Sequence, residues 1–167
     1  MEVWEGNITT LEIDAIVNAA SQTLLGGGGV DGAIHKAAGP GLLEECKKLG
    51  GCKPGDAKIT GGHNLPVNFI IHTVGPVWRG GKSGEPALLE SCYRKSLDLV
   101  DRNLIKHVAF SMISTGAYGY PLPYACDIAA RAVSRFLMSN DLPLTVRFCT
   151  FDRLSTEAMR SALAALK

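Results

Sequence analysis

The sequence predicts an α/β fold, with a sheet covered by helices on both faces. Two observations carry this. Short apolar runs that read as buried strands alternate with longer segments whose apolar residues recur at helical spacing. Two glycine-containing loops, 26–29 and 114–121, each follow a strand-like run and lead into a helix-like one. In open α/β sheets the ligand crevice lies outside the carboxyl ends of the strands. Two such loops on strands of the same direction therefore reach one crevice.

In chain order, Glu2-Val3-Trp4-Glu5 alternates weakly and reads as a first strand, stopping at Gly6-Asn7-Ile8-Thr9-Thr10. Ala15 to Asn18 is a short apolar run bounded by polar residues and predicts a buried strand. After the four glycines, Asp31 to Ala38 predicts a short helix stopped by Gly39-Pro40. Leu42, Leu43, Cys46 and Leu49 mark a second helix, closed by Gly50-Gly51. Lys53-Pro54-Gly55-Asp56 is a turn, and Ala57 to Thr60 a short strand. Phe69 to Val74 is a strand ended by Gly75-Pro76, and Trp78 to Gly84 a loop. Leu88, Leu89, Cys92, Tyr93, Leu97 and Val100 form an amphipathic helix with Pro86 in its first turn, where proline is tolerated. His107 to Ile113 is the strand before the second loop. A helix with Ile128, Ala129, Ala132, Val133, Phe136 and Leu137 on one face follows it. Val146 to Phe151 is the last strand. Ser155 is expected to cap the final helix, with Ala158, Met159, Ala162, Leu163 and Leu166 toward the core.

Composition narrows the function. The 167 residues suit one domain, 1–167, with a substantial core. The net charge of +1 and the lack of a basic run argue against a nucleic-acid binder or a membrane-surface helix. No apolar run is long enough to span a membrane, and the N-terminus is not a signal peptide. The five cysteines are odd in number, widely spaced and without a CxxC, which reads as reduced thiols in an intracellular protein. The histidines do not pair with cysteines at zinc-ligand spacing, so no metal is expected.

The first loop carries the chemistry. Glycine costs about 0.5–1 kcal/mol against alanine in a regular element. Four in a row before a helix suggest a demand for exposed backbone, typically an anion against main-chain N–H groups. A flexible surface loop is the plainer reading of the run alone. Asp31 and His35 lie four apart and share a helical face beside this cradle. Gly27-x-Gly29-x-x-Gly32 formally matches the dinucleotide fingerprint, but the expected acidic residue at a strand end is missing: Asp56 lies in a turn. No Gly-Lys-Ser/Thr and no kinase catalytic loop is present.

Four segments together resemble a known family. They are Val17-Asn18-Ala19-Ala20, Gly26 to His35, His72-Thr73-Val74-Gly75-Pro76, and Ile113-Ser114-Thr115-Gly116-Ala117-Tyr118-Gly119-Tyr120-Pro121. In this order they look like a macrodomain of the MacroD type. The resemblance implies a three-layer α/β/α fold around a mixed sheet and a cleft for ADP-ribose. It implies hydrolysis of ADP-ribosyl esters on acidic side chains of mono-ADP-ribosylated proteins and of O-acetyl-ADP-ribose. No cofactor and no metal are implied, and a monomer is expected.

By the same resemblance Gly28, Gly29 and Val30 offer N–H groups to a diphosphate, and Ser114, Thr115, Gly116, Ala117 and Tyr118 clamp it from the other side. Asn7, Ile8, Asn18 and Ala19 belong to the ligand site, and Phe151 packs against adenine. Asp31 drives hydrolysis with a water held by a ligand phosphate, His35 supports it, and Tyr118 closes over the ribose. Two departures stand out. Gly6-Asn7-Ile8-Thr9 replaces the family's Gly-Asp-Ile-Thr, so a charge-assisted bond to the adenine amino group is lost; such bonds are roughly twice as strong as neutral ones. Ser21 replaces the second Asn of Asn-Ala-Ala-Asn, a residue that positions the distal ribose. These departures keep a second reading open, a module that binds ADP-ribose or mono-ADP-ribosylated proteins without turnover. A nucleotide or nucleic-acid scaffold is a remoter third.

Plainer roles stand beside these. Asp31 suits a helix N-terminus, and His35 a structural polar contact. His72, in an apolar strand, reads as a satisfied core histidine, and Asn18 as a brace for the loops through backbone hydrogen bonds. Tyr118 and Phe151 could be core aromatics. The cysteines read as small buried apolar residues.

Overall fold

A computed structural model describes residues 1–166. Six strands are present: β1 (Glu2–Glu5), β2 (Ile13–Ala19), β3 (Ala57–Gly61), β4 (Val67–Thr73), β5 (His107–Phe110) and β6 (Thr145–Thr150). They form one sheet in the order β1-β6-β5-β2-β4-β3. Every pairing is parallel except β3 with β4, which is antiparallel at the edge. The carboxyl ends of β1, β6, β5, β2 and β4 therefore open on the same rim of the sheet. The mixed sheet is as expected.

The central strand β2 is buried without a break from Ala15 to Asn18, as a parallel strand covered on both faces must be. Its residues alternate between two cores. Ala15 and Val17 join Ile71, Phe110 and Phe148 under helices α3 (Glu85–Arg102), α4 (Leu122–Ser139) and α5 (Arg153–Ala164). Ile16 joins Ile70 and Ala109 under α1 (Gly29–Ala38) and α2 (Pro40–Lys47). The result is the three-layer α/β/α arrangement.

Several boundaries differ from the sequence reading. Helix α1 begins at Gly29 rather than Asp31, so the last glycine belongs to the helix. Strand β5 ends at Phe110, and Met112 and Ile113 already belong to the loop. The last strand stops at Thr150 and leaves Phe151 outside it. Asp152, not Ser155, caps α5: its carboxylate accepts from the Ser155 N–H at 2.8 Å. The short Thr150–Arg153 connection puts the earlier residue in the extended conformation a cap requires.

One carboxylate organises the loop between β4 and α3. Glu85, in the first turn of α3, is buried, and it accepts from the N–H groups of Arg79 (2.9 Å), Gly81 (2.8 Å) and Ser83 (2.6 Å). Burial works against its charge. The N–H groups of Arg79, Gly81 and Ser83, together with its own, outweigh burial and hold the carboxyl down at about 2. A depressed folded value stabilises the fold above the unfolded value and loses that contribution as pH falls toward the folded one. Glu85→Gln is therefore expected to lower the melting temperature near neutral pH. The gap to wild type should close as pH falls from about 4.5 toward 2 in thermal melts across that range. A gap that persists at the acid end would refute this role.

Candidate active site

The shared rim of the five parallel strands carries a cleft made of two adjoining cavities. The larger, about 490 Å³, is lined by residues that include Asn7, Ile8, Thr115, Thr150, Phe151 and Asp152. The smaller, about 260 Å³, is lined by residues that include Ala19, Ser21, Gly28, Asp31, Ser114 and Tyr118. Gly29, Val30, Met112 and Gly116 line both, so the two glycine loops form the waist between them.

Each loop is held in a definite shape. Helix α1 starts on Gly28 without a side-chain cap, so its first N–H groups lack an intrahelical acceptor. Gly28 has an ordinary φ of −92°, and a Cβ there would meet nothing within 4 Å. Nothing inside the fold requires this glycine. Gly32 differs: a Cβ there would collide with the Gly27 carbonyl oxygen, which packs the helix tightly onto its own loop. In the second loop Ser114 adopts a left-handed φ of 67° while buried. Its hydroxyl donates to the Pro76 carbonyl at 2.8 Å, and its own carbonyl accepts from Tyr120 N–H at 2.9 Å. Gly75 must lack a side chain because Ser114 occupies that space.

Asp31 is the charged group of the smaller cavity. It is 4% exposed, and its Oδ1 accepts from Asn18 Nδ2 at 2.8 Å. His35 Nε2 stands 3.5 Å from the same oxygen, one helical turn on. Asp31 Oδ2 and His35 Nε2 have no hydrogen-bond partner among the described residues. Buried polar atoms are nearly always partnered, so the orphan oxygen at this cavity is conspicuous. Behind Asp31, Asn18 Nδ2 also lies 3.2 Å from His72 Nδ1, and His72 Nε2 lies 2.9 Å from Thr60 Oγ1. Burial, with repulsion from His35 second, pulls His72 down to about 3, so the ring is neutral.

All the other expected site residues line one cavity or both; Asn18 and His35 line neither. Asn18 is fully buried behind Asp31 and braces it through its side chain rather than through backbone bonds to the loops. His72 is a fully buried, partnered histidine, as expected. Tyr118 is half-buried, while Phe151 is 85% exposed at the rim of the larger cavity. Asn7 Oδ1 accepts from both the N–H (3.0 Å) and the hydroxyl (2.7 Å) of Thr9. Its oxygen is thereby committed, and its amide hydrogens are what it can offer a ligand. The Ser21 hydroxyl lies 3.3 Å from the Gly26 carbonyl oxygen and 3.1 Å from Thr23 Oγ1, within its own loop.

Sequence reasoning missed Met112 at the waist and Thr60 behind His72. Met112 follows a strand like any core residue, and Thr60, on β3, lies two strands from Asn18 on β2, so no local pattern marks either one. The five cysteines are all buried and unpaired by disulfides. Burial pushes Cys46, Cys52, Cys126 and Cys149 up to about 11, which leaves them as neutral thiols and poor nucleophiles. Among the described residues no cluster of three metal-ligating side chains occurs, and no helix is long and apolar enough to cross a membrane.

Comparison with known proteins agrees with this geometry. The family model described as Macro domain matches residues 17–129. An O-acetyl-ADP-ribose deacetylase of Citrobacter koseri is 56% identical over 156 residues, covering 91% of this chain and 88% of the relative. The structure of the Oceanobacillus iheyensis macrodomain with ADP superposes with a TM-score of 0.94 at 42% identity, over 98% of this chain and 90% of that one. A Trypanosoma brucei macrodomain in complex with ADP-ribose gives 0.90 at 41% identity, over 96% of this chain and 68% of that one. The two-loop cleft, the parallel strand ends and the sequence likeness agree: the chain belongs to the macro domain family.

Proposed function

We propose that this chain binds ADP-ribose across the two cavities and hydrolyses an ester on its distal ribose. O-acetyl-ADP-ribose is one substrate, and a mono-ADP-ribosylated acidic side chain is another. The observation that carries the reading is Asp31. It is a buried carboxylate at the smaller cavity with one oxygen fixed by Asn18 and the other unpartnered among the described residues. Such an oxygen is ready to accept a hydrogen bond from water and to take its proton. The deacetylase relative and the ligands in the two macrodomain structures support the same substrate class.

The parts divide as follows. The diphosphate lies at the waist, against the free N–H groups at the start of α1 on one side and the 114–118 loop on the other. Gly28 leaves room for it, since a Cβ there would have no protein atom within 4 Å. The base occupies the larger cavity beside Phe151, and the distal ribose enters the smaller one beside Asp31, Ser21 and Tyr118. Asp31 Oδ2 draws a proton from water as the water oxygen attacks the ester carbonyl. The acyl–oxygen bond then breaks, the ribose oxygen takes a proton, and a carboxylic acid is released.

A second reading, binding without turnover, is favoured by one observation: the Ser21 hydroxyl turns into its own loop. One set of assays separates the two. Wild type is expected to release acetate from O-acetyl-ADP-ribose. Asp31→Ala should lower kcat by about 100-fold or more while leaving ADP-ribose affinity within a few-fold. Ser21→Asn is expected to raise kcat. Wild type that binds ADP-ribose but releases no acetate would leave only the second reading.

The base end yields its own prediction. In Asn7→Asp one carboxylate oxygen can keep the Thr9 bonds while the other accepts from the adenine amino group. Titration calorimetry should show ADP-ribose binding tightened by about threefold to tenfold. Unchanged affinity would place the adenine amino group away from Asn7.

A further inference from the structure

Asn18 on β2 is the register partner of His72 on β4, and Thr60 on β3, opposite Ile70, reaches His72 diagonally on the same face, the one covered by α1. All three are buried. The donor and acceptor at each contact follow from the chemistry of the groups. Asp31 Oδ1 is a carboxylate oxygen, so the Asn18 atom 2.8 Å away must be the amide nitrogen; its oxygen there would meet another acceptor. That same nitrogen lies 3.2 Å from His72 Nδ1. An NH₂ group only donates, so Nδ1 carries a lone pair and the proton of the neutral ring is on Nε2. Nε2–H then donates to Thr60 Oγ1 at 2.9 Å, and the Thr60 hydroxyl, accepting there, donates in turn to the Gly61 carbonyl at 3.1 Å. The polarity of the line is thus fixed from a backbone carbonyl, which can only accept, to the cavity carboxylate.

We propose that Thr60 and His72 are positioning residues for Asp31: the Thr60 hydroxyl holds His72 as its Nε2–H tautomer, and that tautomer holds the Asn18 amide with its NH₂ toward Asp31. This inference rests on the hydrolysis reading above and gives it a further requirement. The opposite tautomer places an N–H against the Asn18 NH₂. The amide then turns its oxygen toward His72 and, with it, toward Asp31 Oδ1. The carboxylate loses the Asn18 donor, the one hydrogen bond it accepts among the described residues, and with it the orientation of Oδ2. Neither Thr60 nor His72 lines the cleft, so ligand binding at the two loops is independent of the line.

Nitrogen NMR of the intact protein, with steady-state assays on O-acetyl-ADP-ribose, tests this. Wild-type His72 is expected to show a protonated Nε2 and an unprotonated Nδ1. Thr60→Val keeps the shape of the side chain and removes the hydroxyl. It should shift His72 away from the pure Nε2–H tautomer and lower kcat by about tenfold or more, with KM and ADP-ribose affinity changed by less than about twofold. Thr60→Ser, which keeps the hydroxyl, should restore both the tautomer and kcat. A wild-type His72 protonated on Nδ1 overturns the proposal, and this readout needs no variant to fold. An unchanged kcat in Thr60→Val overturns it too, as does an equal loss of kcat and ligand affinity. If wild type shows no turnover, the hydrolysis reading fails by itself. The His72 spectra of wild type and Thr60→Val then still decide whether Thr60 sets the tautomer.

Discussion

A single amide nitrogen, Asn18 Nδ2, ties the chemistry of this protein to its sheet. It touches Asp31 on α1 and His72 on the neighbouring strand, and both contacts lie in the interior. A buried polar group is costly unless it is partnered, so this nitrogen fixes how α1 sits on β2 and β4. The other carboxylate oxygen of Asp31 has no hydrogen-bond partner among the described residues. Asp31 is therefore anchored from behind by the most buried part of the sheet, while the two loops in front shape the cleft.

Strand direction supplies the rest. Because β1, β6, β5, β2 and β4 run the same way, their carboxyl ends bring Gly6-Asn7, Phe151, Met112, Ala19 and Gly75 to one rim. Two short loops then suffice to build a cleft with two chambers. The strain at Ser114, whose φ is 67°, is held by the Pro76 and Tyr120 bonds and by the missing Cβ of Gly75. Strained backbone persists only where its surroundings over-determine it, and here the β4 end and the 114–121 loop brace each other.

Much of this was legible in the sequence. The largely apolar runs at Ala15 to Asn18 and Phe69 to Val74 identify buried strands, because strands covered on both faces read as near-continuous apolar residues. The four glycines before Asp31 mark the cradle because a helix start with no side chains is otherwise wasteful. What the sequence hides is lateral. Thr60 and His72 meet only because β3 pairs antiparallel with β4, and register across strands leaves no local signature. The cap of α5 was missed for a simpler reason. Asp152 and Ser155 are both good caps, and only the length of the connection from β6 decides between them.

The larger cavity is walled by opposite ends of the chain: Gly6, Asn7 and Ile8 after β1, and Cys149, Thr150 and Phe151 at the end of β6. Strand β1 is a sheet edge, and among the described residues its one strand partner is β6. During synthesis from the N-terminus, the Asp31 cluster and both glycine loops therefore emerge before the wall of the larger cavity can close. Residues 2–5 must wait for residues 145–150 to emerge before they have a partner. The larger chamber is the last part of the cleft to be assembled, and a nascent chain stalled short of β6 would carry the Asp31 cavity without the wall that Cys149, Thr150 and Phe151 add to its neighbour.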